Sequence, residues 1–275
     1  MCYILKMSYS NGVKKMKYEL EVGARNVADA LAAWRGGADR VELYVSPSEG
    51  ALTPSYGLVK EMMEVKKATG IGLGIFVMIR PRSGDPLYTD EEFKVMLRDT
   101  EALYDAGAEG FMCGIVTPEG ELDVKRMKQI IDKVPGRRFT LHRGFESVKD
   151  QSKALEQAVD LGIEFILTGA LLPGYQFDFK RIMELHEQAA GRIKIMVALG
   201  PAFKTPDLPR LLIPGMPFDY HIVNGYRQRK SAMKFVPGME PGDDDYLMKN
   251  LSSVDYLEES TVREIRDIMD KYLDK

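Results

Sequence analysis

The stretch "LEVGARNVADALAAWRGGADRVEL", from Leu20 to Leu43, carries one complete folding unit. "LEV" alternates apolar and acidic residues with the period of a strand that has two different faces. Asn26 then stands where a helix needs an N-cap, "VADALAAW" is rich in strong helix formers, and Gly36-Gly37 supplies a stop. "RVEL" resumes the alternation. Two strands joined through a helix must run parallel, because a hairpin would need only a tight turn.

Working outward from this unit, β-rich runs recur at 17–23, 38–44, 71–80, 108–116, 137–145, 163–170, 192–200 and 218–225. Helical segments usually separate them. "TDEEFKVMLRDTEALYDAG" opens on a Thr89/Glu92 capping box and closes at Gly107. "DVKRMKQIIDKV", "SVKDQSKALEQAVDLG" and "DFKRIMELHEQAAG" repeat the pattern, and a final helix begins near Ser260. Eight strand-helix units predict closure into a single (β/α)8 TIM-type barrel over 17–275, preceded by a loose extension over 1–16. An open doubly wound sheet is the alternative, but no glycine-rich fingerprint follows the first strand.

Bulk properties narrow the partners. The formal net charge is -3, which gives no electrostatic footprint for nucleic acid or an acidic membrane. No apolar run has the length of a membrane span, and the N-terminus shows no signal-peptide pattern, so a cytoplasmic protein is expected. The two cysteines, Cys2 and Cys113, are too far apart in sequence to suggest a disulfide framework.

In a closed barrel the outer face of each strand is covered by helices and must be apolar. That fixes the phase. Tyr18, Leu20 and Val22 face outward, so Glu19 and Glu21 face inward; Val41 and Leu43 send Glu42 inward. Val77 and Ile79 send Phe76, Met78 and Arg80 inward, Phe139 and Leu141 send Thr140 and His142 inward, and Tyr220 and Ile222 send His221 inward. Most of these polar groups lie at the C-terminal ends of their strands, where barrel enzymes keep their chemistry.

The residues resemble the CutC family, proteins associated with copper homeostasis. The resemblance is carried by the opening stretch, "EGALTPSYGLV", "VMIRPRSGD" with "YTDEEF", "GAEGFMCGIVTPEGELD", "TLHRGFE" and "LGIEFILTGA". It implies a TIM-type barrel, a cytoplasmic location and a homo-oligomer, and it puts Glu21, Glu42, Arg80, Arg82 and His142 on characteristic positions. Members often carry cysteines where this chain has Gly23 and Tyr44, and those thiols are the suggested copper ligands. The family's glycine run is here "LGPAF", and Glu146 replaces an aspartate.

Two readings of function follow. One is acid-base catalysis of isomerase or lyase type by Glu21, Glu42 and His142 on a small anionic, sugar-like or keto-acid molecule. Arg80, Arg82, Arg143, His221 and Asn224 would hold that ligand. The other is direct copper handling, which rests on family association only, since copper(I) prefers thiolate and thioether ligands. Sulfur candidates inside the barrel are Met78, Cys113, Met112 and Met196. If a divalent metal binds, Glu21, Glu42 and His142 are the expected ligands. The same Glu21, Glu42 and Arg80 set can also be read as a structural ion cluster. The long tail that starts at "SAMKF" is expected to pack across the mouth or onto a second subunit.

Overall fold

The computed structural model describes residues 18–169, 171–172, 176–199, 205–214, 216, 218–223, 225–230, 232 and 253–273. The expected extension over 1–16, Asn224 and most of the tail lie outside them. So does the side chain of Arg143.

The chain alternates as the repeat predicts. β1 (Leu20–Ala24), α1 (Val27–Arg35) and β2 (Arg40–Leu43) come first, then α2 (Tyr56–Thr69), β3 (Gly74–Met78), α3 (Asp90–Ala106), β4 (Gly110–Cys113) and α4 (Val124–Asp132). β5 (Arg138–Leu141), α5 (Gln151–Asp160), β6 (Phe165–Thr168), a two-residue pair β7 (Leu171–Leu172) and β8 (Gln176–Phe177), α6 (Phe179–Ala189) and β9 (Lys194–Leu199) follow. β10 (Asp219–Ile222), β11 (Tyr226–Lys230), β12 (Ser253–Leu257) and α7 (Glu259–Leu273) complete it. Eight strands close in the order β1-β10-β9-β6-β5-β4-β3-β2, all parallel. The fold is a (β/α)8 barrel.

The local signals act as their chemistry requires. Asn26 Oδ1 accepts from Asp29 N at 2.9 Å and starts α1. Thr89 and Glu92 cap α3 reciprocally, at 3.2 and 2.8 Å. Two departures stand out. "TPDLPR" between β9 and β10 forms a 3₁₀ turn over Thr205–Arg210, because its prolines cannot donate the bonds of an α-helix. The residues just before the tail, β11, pair with its far end, β12, as an antiparallel ribbon where the sequence suggested only a turn and a loop. That ribbon docks beside the end of β1: Tyr226 Oη donates to Gly23 O at 2.9 Å, and Leu257 N donates to Asp29 Oδ1 at 3.0 Å.

The strand phases come out as the apolar alternation demands. Leu20, Val22, Val41, Leu43, Val77, Ile79, Phe139, Leu141, Tyr220 and Ile222 all join the helix-facing core. Phe76, Met112, Phe165, Leu167 and Met196 form a separate cluster inside the barrel.

Candidate functional site

Parity says which side chains enter the barrel; the strand register says how high each one stands. The register steps around the ring with the shear of an eight-stranded parallel barrel, which sorts inward residues into tiers supplied by alternate strands. From the N-terminal floor upward the polar members are Glu19, Arg138 and Lys194, then Arg40 and Asp219, then Glu21 and Thr140, then Glu42 and His221, then His142. Gly23 and Ala198 share the tier of His142, and Tyr44, Gly114 and Gly169 sit above it.

The tiers explain the contacts. Arg40, one tier below Glu21, reaches up so that Nε lies 2.7 Å from Glu21 Oε2, while Nη1 bonds Glu19 Oε2 at 2.9 Å. Its guanidinium lies 4.5 Å from the Phe76 ring centroid and 4.0 Å from that of Phe165, and Nη2 approaches Met196 Sδ at 3.2 Å. Above it, His221 Nδ1 is 2.7 Å from Glu21 Oε1. His221 Nε2 faces Glu42 Oε2 at 3.5 Å. His142 Nε2 faces the other oxygen, Glu42 Oε1, at 3.8 Å. The result is a chain of alternating basic and acidic side chains, Arg40, Glu21, His221, Glu42, His142, running from floor to mouth.

All five side chains are buried. Burial opposes the charge on Glu21, yet Arg40 and the His221 bond outweigh it and hold the carboxyl below the usual carboxylate range. Burial likewise opposes a charge on His221, but Glu21 and Glu42 outweigh it and raise its pKa. Opposite shifts in two bonded groups are the mark of an ion pair with the proton on the imidazole.

Backbone geometry fixes His142. Its N–H donates to Cys113 O at 2.9 Å, and its carbonyl accepts from Phe145 N at 3.0 Å. The chain then crosses the end of β4 with backbone on backbone: a Cβ on Gly144 would come within 2.7 Å of Gly114 Cα, so neither glycine can carry a side chain. Glu146 ties this turn to the end of β6, accepting from Thr168 Oγ1 at 2.5 Å and Gly169 N at 2.9 Å. On the opposite wall Tyr44 lies across Gly23, where an added Cβ would sit 2.8 Å from the ring. The two positions at which the family resemblance implies thiols are thus neighbours, and here the Tyr44 ring packs against Gly23. Ala198 is only half-buried although it points inward, so the interior is reached from outside one tier above Glu42.

Several expectations change. Arg80 stands three tiers above Glu42, at the rim. Its fork donates to main-chain carbonyls: Nε to Arg82 O at 3.1 Å, Nη1 to Gly50 O at 2.6 Å and Nη2 to Gly84 O at 2.6 Å. It braces the β2 and β3 loops, and the guanidinium against the buried acid is that of Arg40. Arg82 is also a brace, donating to Glu92 Oε1 at 2.6 Å, Leu87 O at 2.7 Å and Asp85 O at 2.9 Å. Arg40 was legible: "RVEL" gives it the same parity as Glu42. Tyr44 shares that parity one turn of the alternation later.

The metal set changes as well. Among the described residues, the group whose ligand atoms converge within 4.8 Å is Glu21, Glu42 and His221 rather than Glu21, Glu42 and His142. Of the sulfur candidates, Met112 and Met196 do lie inside the barrel, below the mouth, but the thiol does not. Cys113 lies in the helix-facing core with Sγ 3.7 Å from Met127 Sδ, and burial pushes its thiol pKa well up. A protonated thiol turned away from the mouth is a poor copper ligand.

Comparison with known proteins agrees with the fold. The sequence model of the CutC family matches residues 18–205. A family protein CutC from Bacteroides fragilis is 40% identical over 183 residues, 66% of this chain and 71% of the relative. One from Vibrio cholerae is 37% identical over 187 residues, 67% of this chain and 72% of the relative. The solved structure of CutC from Streptococcus agalactiae, to which a role in copper homeostasis is ascribed, superposes with a TM-score of 0.67 at 28% identity, covering 74% of this chain and 98% of that one. A 2,3-dimethylmalate lyase superposes with a TM-score of 0.51 at 12% identity over 76% of this chain and 77% of that one, which is a likeness of fold alone.

Proposed function

This chain belongs to the CutC family, and from that premise we propose that its barrel mouth carries out acid-base chemistry of isomerase or lyase type on a small carbonyl or polyhydroxylated molecule. The observation that carries the reading is Glu42: a buried carboxylate with an imidazole Nε2 opposite each of its oxygens, at 3.5 and 3.8 Å, on the C-terminal side of the barrel. A carboxylate and an imidazole within reach of one substrate can remove a proton at one atom and return it at another. His142 stands highest and meets a ligand first. His221, held by Glu21 and kept cationic by it, is placed to stabilise negative charge that develops next to Glu42. Arg40 serves this only indirectly, by fixing Glu21.

Thiolate copper binding has less support in this chain. Among the described residues the cysteine is Cys113, and it lies outside the barrel interior. The copper role ascribed to the relative requires another ligand set here.

The reading is tested by solvent exchange. The protein is incubated in D2O with a panel of small keto acids, hydroxy acids and sugars, and C–H signals are followed by proton NMR. We expect loss of a C–H signal with wild type and a rate about 100-fold lower with Glu42→Gln, at the low end of general acid-base contributions. Equal exchange by wild type and Glu42→Gln would remove Glu42 from the chemistry, and with it the proposal.

A further inference from the structure

We propose that Glu42 and His221 form a binding site for a divalent cation of borderline character, Zn2+ or Mn2+, with Glu21 as the orienting carboxylate behind the histidine. A metal-bound histidine almost always gives its second ring nitrogen to a carboxylate or carbonyl, which fixes the tautomer and aims the free lone pair. His221 has that arrangement. Nδ1 is at hydrogen-bond distance from Glu21 Oε1, 2.7 Å, and Nε2 looks at Glu42 Oε2; an ion binding here displaces the Nε2 proton of the imidazolium to solvent, and Glu21 then keeps the remaining proton on Nδ1 and the lone pair on Nε2. Those two atoms are 3.5 Å apart. The separation is long for a hydrogen bond. It suits two ligands of one ion: a cation about 2.1 Å from each would subtend an angle of about 110°.

A second observation comes from the neighbouring tier. Thr140 Oγ1 is fully buried, points into the barrel from β5 in the tier of Glu21, and has no hydrogen-bond partner among the described residues. A buried hydroxyl left unbonded costs free energy, so such a group marks a place for something polar. β5 faces β1, β2 and β10 across the barrel, so this hydroxyl looks toward Glu42 and His221 from the opposite wall, and water around an ion held between those walls would supply the partner it lacks. The donor set of one imidazole and carboxylate oxygens selects borderline and harder ions and disfavours copper(I). Arg40 does not bar the cation, because it lies below Glu21 on the side away from Glu42. With Glu42 and His221 engaged, His142 on the far oxygen remains as the proton carrier.

The inference adds a cofactor to the acid-base reading, yet it can be tested without a substrate. Zn2+ or Mn2+ alone is titrated into the metal-free full chain by calorimetry, with folding of each variant followed by circular dichroism. One ion per chain is expected. His221→Gln and Glu42→Gln should each weaken binding by at least about 100-fold, and Glu21→Gln by about 10- to 100-fold, the range for orienting partners. If Glu21→Gln fails to fold because Arg40 loses its partner, the other two variants decide. Absence of stoichiometric binding, or binding that both variants leave untouched, overturns the proposal. Proton exchange measured in excess chelator separates the two ideas. Undiminished exchange in chelator with no ion bound removes the cation and leaves the acid-base site; a bound ion without exchange does the reverse.

Discussion

Glu19 and Glu42 both point into the same barrel, from neighbouring strands, and they meet different company. At the floor Glu19 lies between two guanidiniums, Arg40 Nη1 at 2.9 Å and Arg138 Nη2 at 3.2 Å, and is about a quarter exposed. Near the mouth Glu42 is almost fully buried and faces two imidazoles. Arginine never gives up its proton, so the floor pairs are fixed at every working pH. Histidine can hold or release one, so the charge of the mouth depends on pH and on what binds there. Wet acids matched to permanent cations close the barrel; dry acids matched to titratable cations leave a site that can react. Arg40 belongs to both regions, since it binds Glu19 below and Glu21 above.

Cutting that link should give the largest effect on stability. Arg40→Met removes the cation from a carboxylate with no exposure of its own, and we expect a loss of about 3–5 kcal/mol in urea unfolding. A loss below 1 kcal/mol would show that Glu21 takes up a proton without strain and that the two regions are independent. Arg80→Lys should cost less, about 1–2 kcal/mol, because it exchanges a three-bond fork for a point charge while leaving the loop carbonyls near water. Proton exchange per folded molecule should stay at the wild-type rate; a large fall would return Arg80 to the site.

The pH profile sharpens the contrast. His221 titrates higher in the folded chain than in the unfolded one, so its contribution is complete below about pH 6.5 and is lost as pH rises through the elevated folded value. Glu21 is shifted the other way: its contribution is complete above its ordinary value of 4.5 and is lost as pH falls through the depressed folded value. Melting temperature should therefore peak between these limits and fall on the alkaline side, and His221→Gln should flatten the alkaline slope. A wild-type profile with no alkaline slope would contradict the imidazolium. The smallest effect belongs to the floor. Glu19→Gln should cost about 1 kcal/mol, because water reaches this partly exposed acid and an amide oxygen can still accept from the guanidiniums, and should leave the alkaline slope and the exchange rate in place. Loss of either would mean that floor and mouth are not distinct.

Relatives that carry cysteines at the positions of Gly23 and Tyr44 would have two thiols close together at this rim. In this chain the ring of Tyr44 occupies that space, and burial keeps the Cys113 thiol protonated on the helix side. A competition titration with copper(I) under reducing conditions should accordingly find no tight thiolate site, and Cys113→Ala should change nothing. Stoichiometric binding lost in Cys113→Ala would show that the thiol is reachable after all.

Much of this architecture was legible in the chain. Alternation in "LEV", "RVEL", "FVMI", "FTLH" and "YHIV" gave the inward set, because helices covering the outer face tolerate only apolar residues there. Caps and glycines placed the first and third helices. The β11–β12 ribbon was not legible, since "YRQRK" and "SVDYL" are separated by a long segment and pair only through their docking beside β1 and α1. Parity also could not choose among inward residues. Arg40, Arg80, Glu21, Glu42, His142 and His221 are equal by that rule, and the sequence offered Arg80 as the partner of the acids. Only the barrel decides their heights, because height is set by shear, and shear is a property of the closed ring of strands that no single strand carries. The ring puts Arg40 directly below Glu21 and lifts Arg80 to the rim, and it sets His221 level with Glu42.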